Sequence, residues 1–295
     1  MSEYQRYEFV AFERPLTAKQ MAELRTVSTR AEITPTRFFN EYHWGDFKGN
    51  AVKLVARYFD AHLYLANWGT RRLILRLKSE QVSTKSLRPY FVGGAARAST
   101  AGKYLIVQLC SDDEEPDYYA DESEDDSLAA LAPLRTELLE GDFRVAYLAW
   151  LLALQAGDVA EDATEPPMPP GLADLTVAQQ AVVEFLRLDQ DLLSAAAAAS
   201  PALTNDSAAA RRWLMALKPH AKDEWLERAM TNPNLALGTE LRRTFRQQTK
   251  APLTSPQRRA AELLATTEAA RTKREQAAAR RPSRSSTVAG KPTKH

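Results

Sequence analysis

At 295 residues the chain has length enough for two domains and a substantial buried core, with the apolar content of an ordinary globular protein. A single cysteine, Cys110, excludes an internal disulfide, and the longest apolar run, Val145 to Leu154, falls far short of the roughly 20 residues that span a bilayer. The net charge of +1 conceals a polarised chain: ten acidic and no basic residues lie between Asp112 and Asp126, and fourteen Lys and Arg face three Glu from Leu241 to His295.

Tyr7 to Phe12 reads as a first strand. Thr17 and Gln20 then form a capping box for a helix over Ala18 to Ser28, which buries Met21, Leu24 and Val27. From Thr34 to Trp44 the residues alternate, with Phe38, Tyr42 and Trp44 on one strand face and Arg37, Phe39, Glu41 and His43 on the other. Pro35 cannot donate to a ladder, so it marks the strand's start or an edge. Trp44 to Asn50 is a turn. The helix predicted after it carries Val52, Val55, Phe59, Leu63 and Ala66 as an apolar stripe, and Gly69 stops it in a left-handed cap. Arg72 to Leu77 alternates again as a half-buried strand. The order βαβαβ predicts helices packed on a sheet and leaves open whether its strands are parallel.

Ala95 to Thr100 and Tyr104 to Cys110 read as a hairpin whose second arm is apolar enough for a central strand. The acidic run cannot bury anything and is read as a flexible loop, with Tyr118 and Tyr119 as its one docking feature. Pro133 suits the first turn of a helix that Gly141 stops, and Asp142 caps the next. That next helix, Phe143 to Ala156, is apolar nearly all round and should be the most buried of all. Glu165 to Gly171 is a stiff proline-rich linker. Beyond it the pattern is helical over 177–188, 192–199, 206–217, 220–230 and 236–246. A last, alanine-rich helix opening at Ser255 has little to bury. The fold class is α+β, a small N-terminal sheet with packed helices followed by an all-helical C-terminal region. Its parts are an α+β domain over 1–111, the acidic loop over 112–126, and a helical hairpin packed on the first domain over 127–160. The linker over 161–171, a helical domain over 172–250 and a basic, partly disordered tail over 251–295 complete the chain.

Four motifs stand out: R-P-L-T at Arg14 to Thr17, I-T-P-T-R-F at Ile33 to Phe38, W-G-D-F-K-G at Trp44 to Gly49 and Y-F-D-A-H-L-Y-L-A-N-W-G-T at Tyr58 to Thr70. With P-P-G-L at Pro169 to Leu172 and F-L-R-L-D at Phe185 to Asp189, they resemble the signature of a family of bacterial proteins. The resemblance covers most of the chain up to about residue 240. It carries no activity, cofactor or site residue with it.

The strong catalytic and nucleotide-binding motifs are missing. There is no Walker loop, no dinucleotide G-x-G-x-x-G, no G-x-S-x-G elbow, no H-E-x-x-H and no paired C-x-x-C. Four scattered histidines and one cysteine offer no zinc spacing, so no metal and no cofactor is expected. One constellation remains, Tyr42, His43, Asp46, Asp60 and His62, in which Asp46 could orient His43 for proton transfer. Asp60 and His62, two apart on the predicted helix, do not face the same way, and a structural histidine is the commoner outcome there. Trp44, Phe47, Lys48 and Trp68, rimmed by Arg71 and Arg72, could form a ligand or partner groove, although core packing accounts for most of these rings. Arg271, Lys273, Arg274, Arg280, Arg281 and Arg284 suit salt-sensitive, sequence-tolerant nucleic-acid binding. The opening residues lack the regions of a secretion signal, and the setting expected is a reducing cytoplasm with no membrane. The reading is a non-enzymatic interaction or adaptor protein with a protein partner. Its alternatives are a nucleic-acid-associated protein acting through the tail, and an enzyme of unrecognised type at the His43 and Asp46 corner.

Overall fold

The computed structural model describes residues 4–82, 84–112, 128–203, 207–232, 236–249 and 258–279. Strand β1 (Gln5–Val10) leads to helix α1 (Ala18–Val27), strands β2 (Glu32–Ile33) and β3 (Arg37–Tyr42), helix α2 (Ala51–Arg57), and strands β4 (Ala61–Ala66) and β5 (Arg71–Lys78). A short helix α3 (Thr84–Leu87) with a 3-10 turn precedes the hairpin of β6 (Ala96–Ala101) and β7 (Tyr104–Ser111). The rest is helical: α4 (Leu128–Leu139), α5 (Arg144–Gln155), α6 (Val177–Phe185), α7 (Gln190–Ala197), α8 (Ser207–Ala216), α9 (Pro219–Thr231), α10 (Leu237–Thr249) and α11 (Ala260–Ala279). The strands form one seven-stranded sheet in the order β2-β3-β1-β4-β5-β7-β6, and every pairing is antiparallel. The protein is thus α+β, as its patterning implies.

The largest departure from the sequence pattern lies at its centre. The helix predicted through Ala66 ends at Arg57, and Ala61–Ala66 is instead the middle strand, paired with β1 on one side and β5 on the other. Leu63 and Ala66 fit a helical stripe, but Ala61, Leu63 and Leu65 against His62 and Tyr64 also alternate with period two. The tertiary pairing decides between them. Asp60 fixes the exit from α2: fully buried, it accepts the N–H groups of Phe12 and Glu13 at 2.7 and 2.9 Å and pairs with Arg76 at 2.7 Å. Gly69 (φ 103°) accordingly turns the β4–β5 hairpin and caps no helix.

Each face of the sheet is covered by a different set of helices. On one, Leu24 of α1 and Val55 of α2 close over Phe9, Phe38, Phe59, Ile74 and Ile106. On the other, α4, α5, α6 and α7 pack over Leu63, Leu73, Leu75, Val107 and Leu109. Helix α5 is buried at every residue from Arg144 to Leu154, as its all-round apolar pattern predicts. Helix α4 starts earlier than the proline suggests. Leu128, Leu131, Leu134 and Leu138 supply its buried stripe, so Pro133 sits inside the helix and costs it one backbone bond.

The proline-rich stretch is not an extended spacer in solvent. Met168 and Leu172 are buried in the same core as α5 and α6, and the Tyr90 hydroxyl donates to the Pro167 carbonyl. Two of the C-terminal helices, α6 and α7, share this core, whereas α8, α9 and α10 contain no buried residue. Of the basic C-terminal stretch, α11 returns to the body. Its small residues let it approach α7 closely, burying Ala260, Leu263 and Thr267. Ahead of it Arg258 makes a two-pronged bond to the buried Glu165, at 2.8 Å on each prong, and Glu165 also accepts the Tyr147 hydroxyl.

Candidate interaction surface at the aromatic end of the sheet

The corner between β3 and α2 is built around one ring and one amide. Asn50 caps α2 by accepting the Lys53 N–H at 3.0 Å, which brings residues 43–49 back against the start of β1. Phe47 folds in under this turn, 4.7 Å from Tyr7, 5.9 Å from Phe9 and 6.0 Å from Phe38. A Cβ on Gly49 would stand 2.5 Å from the Phe47 ring, so the close approach needs glycine. The Gln5 amide donates to the Gly45 carbonyl at 3.2 Å and to Asp46 at 3.1 Å, and its oxygen accepts the hydroxyls of Tyr7 and Tyr64 at 2.9 and 3.2 Å.

Asp46 therefore orients Gln5, and the structure shows no bond from it to His43. His43 is exposed, its ring 5.5 Å from that of Tyr4. Trp44, placed by alternation on the buried face with Phe38, is 67% exposed. The reason is local: β3 ends at Tyr42 and the chain has left the sheet by residue 44, where Arg30 stacks over the indole at 5.6 Å.

Neither Asp60 nor His62 lies on a helix: Asp60 is in the bend that leads into β4, and His62 is on β4 itself. Both are fully buried. Asp60 is spent on the bonds that fix the chain after α2. His62 Nδ1 donates to the Glu8 carbonyl at 2.9 Å, and the ring stacks on Phe9 at 3.9 Å. Burial, with nearby Arg72 adding to it against the opposing bond to Glu8, pushes its pKa down to about 3. The imidazole is neutral at pH 7, and its buried Nε2 has no hydrogen-bond partner. Burial likewise raises the pKa values of Tyr7, Tyr64 and Cys110, keeping these groups protonated. Such groups donate and accept hydrogen bonds, but none is poised to take a proton from a substrate.

The two arginines expected to rim one groove part company. Adjacent on β5, they emerge on opposite faces: Arg71 donates to the Phe185 carbonyl at 3.0 Å, while Arg72 lies 5.9 Å from the Tyr64 ring. Lys48 is exposed on the turn. Trp68, 39% exposed, sits on the β4–β5 turn, where Arg187 donates to the Gly69 carbonyl at 2.9 Å. Tyr4 ties this turn to the start of β1, exchanging backbone and side-chain bonds of 3.0 Å with Asn67. Tyr4, His43, Trp44 and Trp68 thus gather at one end of the sheet. Sequence reasoning missed Gln5, Tyr7 and Tyr64, whose signal was the polar face shared by alternate residues of β1 and β4.

The candidate cations of the C-terminal stretch divide. Arg271 pairs with Asp189 and lies 3.5 Å from Asp191, Arg274 pairs with Asp191 at 3.0 Å, and Lys273 is exposed. Arg280, Arg281 and Arg284 lie outside the described residues, as does the acidic run beyond Asp112. Among the described residues no three His, Cys, Asp or Glu side chains converge as metal ligands would, and no helix is long and apolar enough to cross a membrane. Comparison with family models, with curated proteins and with solved structures finds no match.

Proposed function

We propose that this chain is a non-enzymatic interaction module, an adaptor of the cytoplasm, which docks a protein partner on the aromatic end of its sheet. The observation that carries this reading is Trp44, an indole 67% exposed at the rim of a rigid corner. Exposed tryptophan beside arginine is the composition of interface hot spots, and a buried aromatic and amide network holds it in place. The uncharged state of buried His62 and Tyr64 and of half-buried Tyr7 supports binding over catalysis at this corner. The test compares proteins that co-purify with the wild-type chain and with Trp44→Ala/Trp68→Ala, after melts show that both are equally folded. The reading expects a stoichiometric partner lost from the variant, and an identical set from both sinks it.

A second reading, nucleic-acid binding through the C-terminal cations, draws support from the exposure of Lys273 and of Arg274, at 62%. The pairs of Arg271 and Arg274 with Asp189 and Asp191 oppose it. Any such binding should be weak, steeply salt-dependent and lost on deletion of 251–295, which gel shifts in rising salt would measure.

A further inference from the structure

The two edges of the sheet are finished in different ways. At one, β2 is only two residues long, Pro35 follows it, and Glu32, Arg37 and Glu41 line the border. Short strands, proline and charge are how sheets avoid pairing with other chains. At the other edge, β6 (Ala96–Ala101) runs six residues with one charge, no proline and no bulge.

The direction of its free hydrogen-bonding groups follows from the hairpin. The two-residue turn Gly102-Lys103 (Gly102 φ 60°) makes Ala101 and Tyr104 the bonded pair, so Ser99 with Ile106 and Arg97 with Gln108 are bonded pairs too. The Cys110 N–H on the Ala95 carbonyl at 2.8 Å continues the same alternation. The N–H and C=O of Ala98 and Thr100 therefore point outward, away from β7. Arg97, Ala98, Ser99 and Thr100 are exposed, and among the described residues no strand or backbone group meets this edge. The strand's beginning is closed. Asp158 accepts the N–H groups of Gly94 and Ala95 at 2.7 Å each, and Ala96 is fully buried. Arg97 folds back, its Nε donating to the Gly93 carbonyl at 3.1 Å.

We propose that β6 is a self-association edge, on which a second copy of this chain pairs its own β6 antiparallel about a two-fold axis at Ser99. In this register Ala98 exchanges bonds with the second copy's Thr100, Arg97 stands opposite its Ala101, and the two Ser99 side chains face each other as a non-bonded pair. No like charges oppose, and the small side chains let two sheets meet without a step. A register centred on Ala98 would need Ala96, which the helical layer covers. A foreign peptide is the poorer occupant. Strand addition takes its specificity from pockets for alternate side chains, and the Ala, Ser and Thr of this edge form none. The inference is independent of the docking surface proposed at the opposite, β3 side of the sheet.

Sedimentation velocity of the full chain over a concentration series tests it. The mass should rise from one chain to two. Ser99→Lys sets like charges face to face, and Ala98→Pro removes an outward N–H while sparing the ladder to β7; each should weaken association by about tenfold or more. Melts accompany both variants, and Ser99→Lys, at an exposed position, decides alone if Ala98→Pro lowers stability. Ser99→Cys should form a covalent dimer under mild oxidant, with the wild-type chain and its Cys110 as the uncrosslinked control. A chain that stays monomeric at its highest soluble concentration overturns the proposal, including where another segment of the same chain occupies the edge. A dimer that survives Ser99→Lys unweakened, or Ser99→Cys that crosslinks no more than wild type, overturns it as well.

Discussion

Helix α5 and the trio α8 to α10 use similar residues to opposite ends. α5 carries Tyr147, Trp150 and four leucines and buries them all. α8 and α9 carry Trp213, Leu214, Met215, Trp225, Leu226 and Met230, and no residue of either is buried. The difference is context. α5 lies between the sheet and α6, so every side of it meets apolar surface. The trio is joined to the body largely through charge, with Arg242 on Glu140 at 2.6 Å and Arg246 3.9 Å from Asp142. Apolar content alone does not make a core; a second layer to bury it against does.

The comparison breaks first, and hardest, at Trp150. With 2% of its surface exposed, Trp150→Ala should cost about 3–5 kcal/mol, the usual loss for a large buried ring. Thermal and urea melts measure it, and a loss under about 1 kcal/mol would deny that α5 is the centre of the core.

The next effect sharpens where the core ends. Glu165 has no exposed side-chain surface, and Arg258 is 20% exposed. Removing one partner of a buried pair strands the other, so Arg258→Ala should cost about 3 kcal/mol, toward the lower end for such pairs. Hydrogen exchange should show α11 losing protection while α5 keeps its own. Equal loss in both would make α11 part of one cooperative unit with the core.

How much of this was legible depends on which signal each residue carries. The capping box of α1, the hairpin of β6 and β7 and the burial of α5 follow from local pattern, and the five helices from α6 to α10 begin and end within three residues of their expected limits. β4 does not, because Leu63 fits both a helical stripe with Ala66 and a period-two set with Ala61 and Leu65, and only pairing with β1 and β5 chooses. The docking of α11 is invisible for another reason: alanine reads as weakly apolar, yet its small size allows the close approach to α7. At the corner the sequence points to the right turn and misassigns its rings. Trp44 continues the alternation of β3 on paper, but the strand ends two residues earlier. Gln5 and Tyr7 lie some 40 residues away in sequence, where no local pattern links them to Asp46.

A smaller effect probes the sheet side of the core through protons. His62 has a folded pKa near 3 and an ordinary unfolded value near 6.5. Between those values the unfolded chain binds the extra proton, so stability is full above pH 6.5 and falls as pH drops toward 3. From pH 7 to 4.5 the loss from this group should reach about 2–3 kcal/mol. His62→Phe removes the titration and keeps a ring on Phe9, so its stability should fall less steeply over the same range. Parallel pH profiles for the two proteins would mean that His62 is not buried as a neutral ring.

The smallest effect belongs to α9, and its smallness is the point. Met230 is 86% exposed and Leu226 60%. Neither has much covered apolar surface to lose on truncation, so Met230→Ser and Leu226→Ser should each shift stability by no more than about 0.5 kcal/mol, as exposed positions generally do. Serine is the weaker helix former by roughly a few tenths of a kcal/mol, and that difference falls within this bound. Chemical melts against Trp150→Ala place both ends of the scale in one experiment. If either serine variant lost 1.5 kcal/mol or more in a chain shown to be monomeric, α9 would have a packed partner within its own chain, and the contrast with α5 would fail. A loss that grows with protein concentration would instead locate that partner on another molecule.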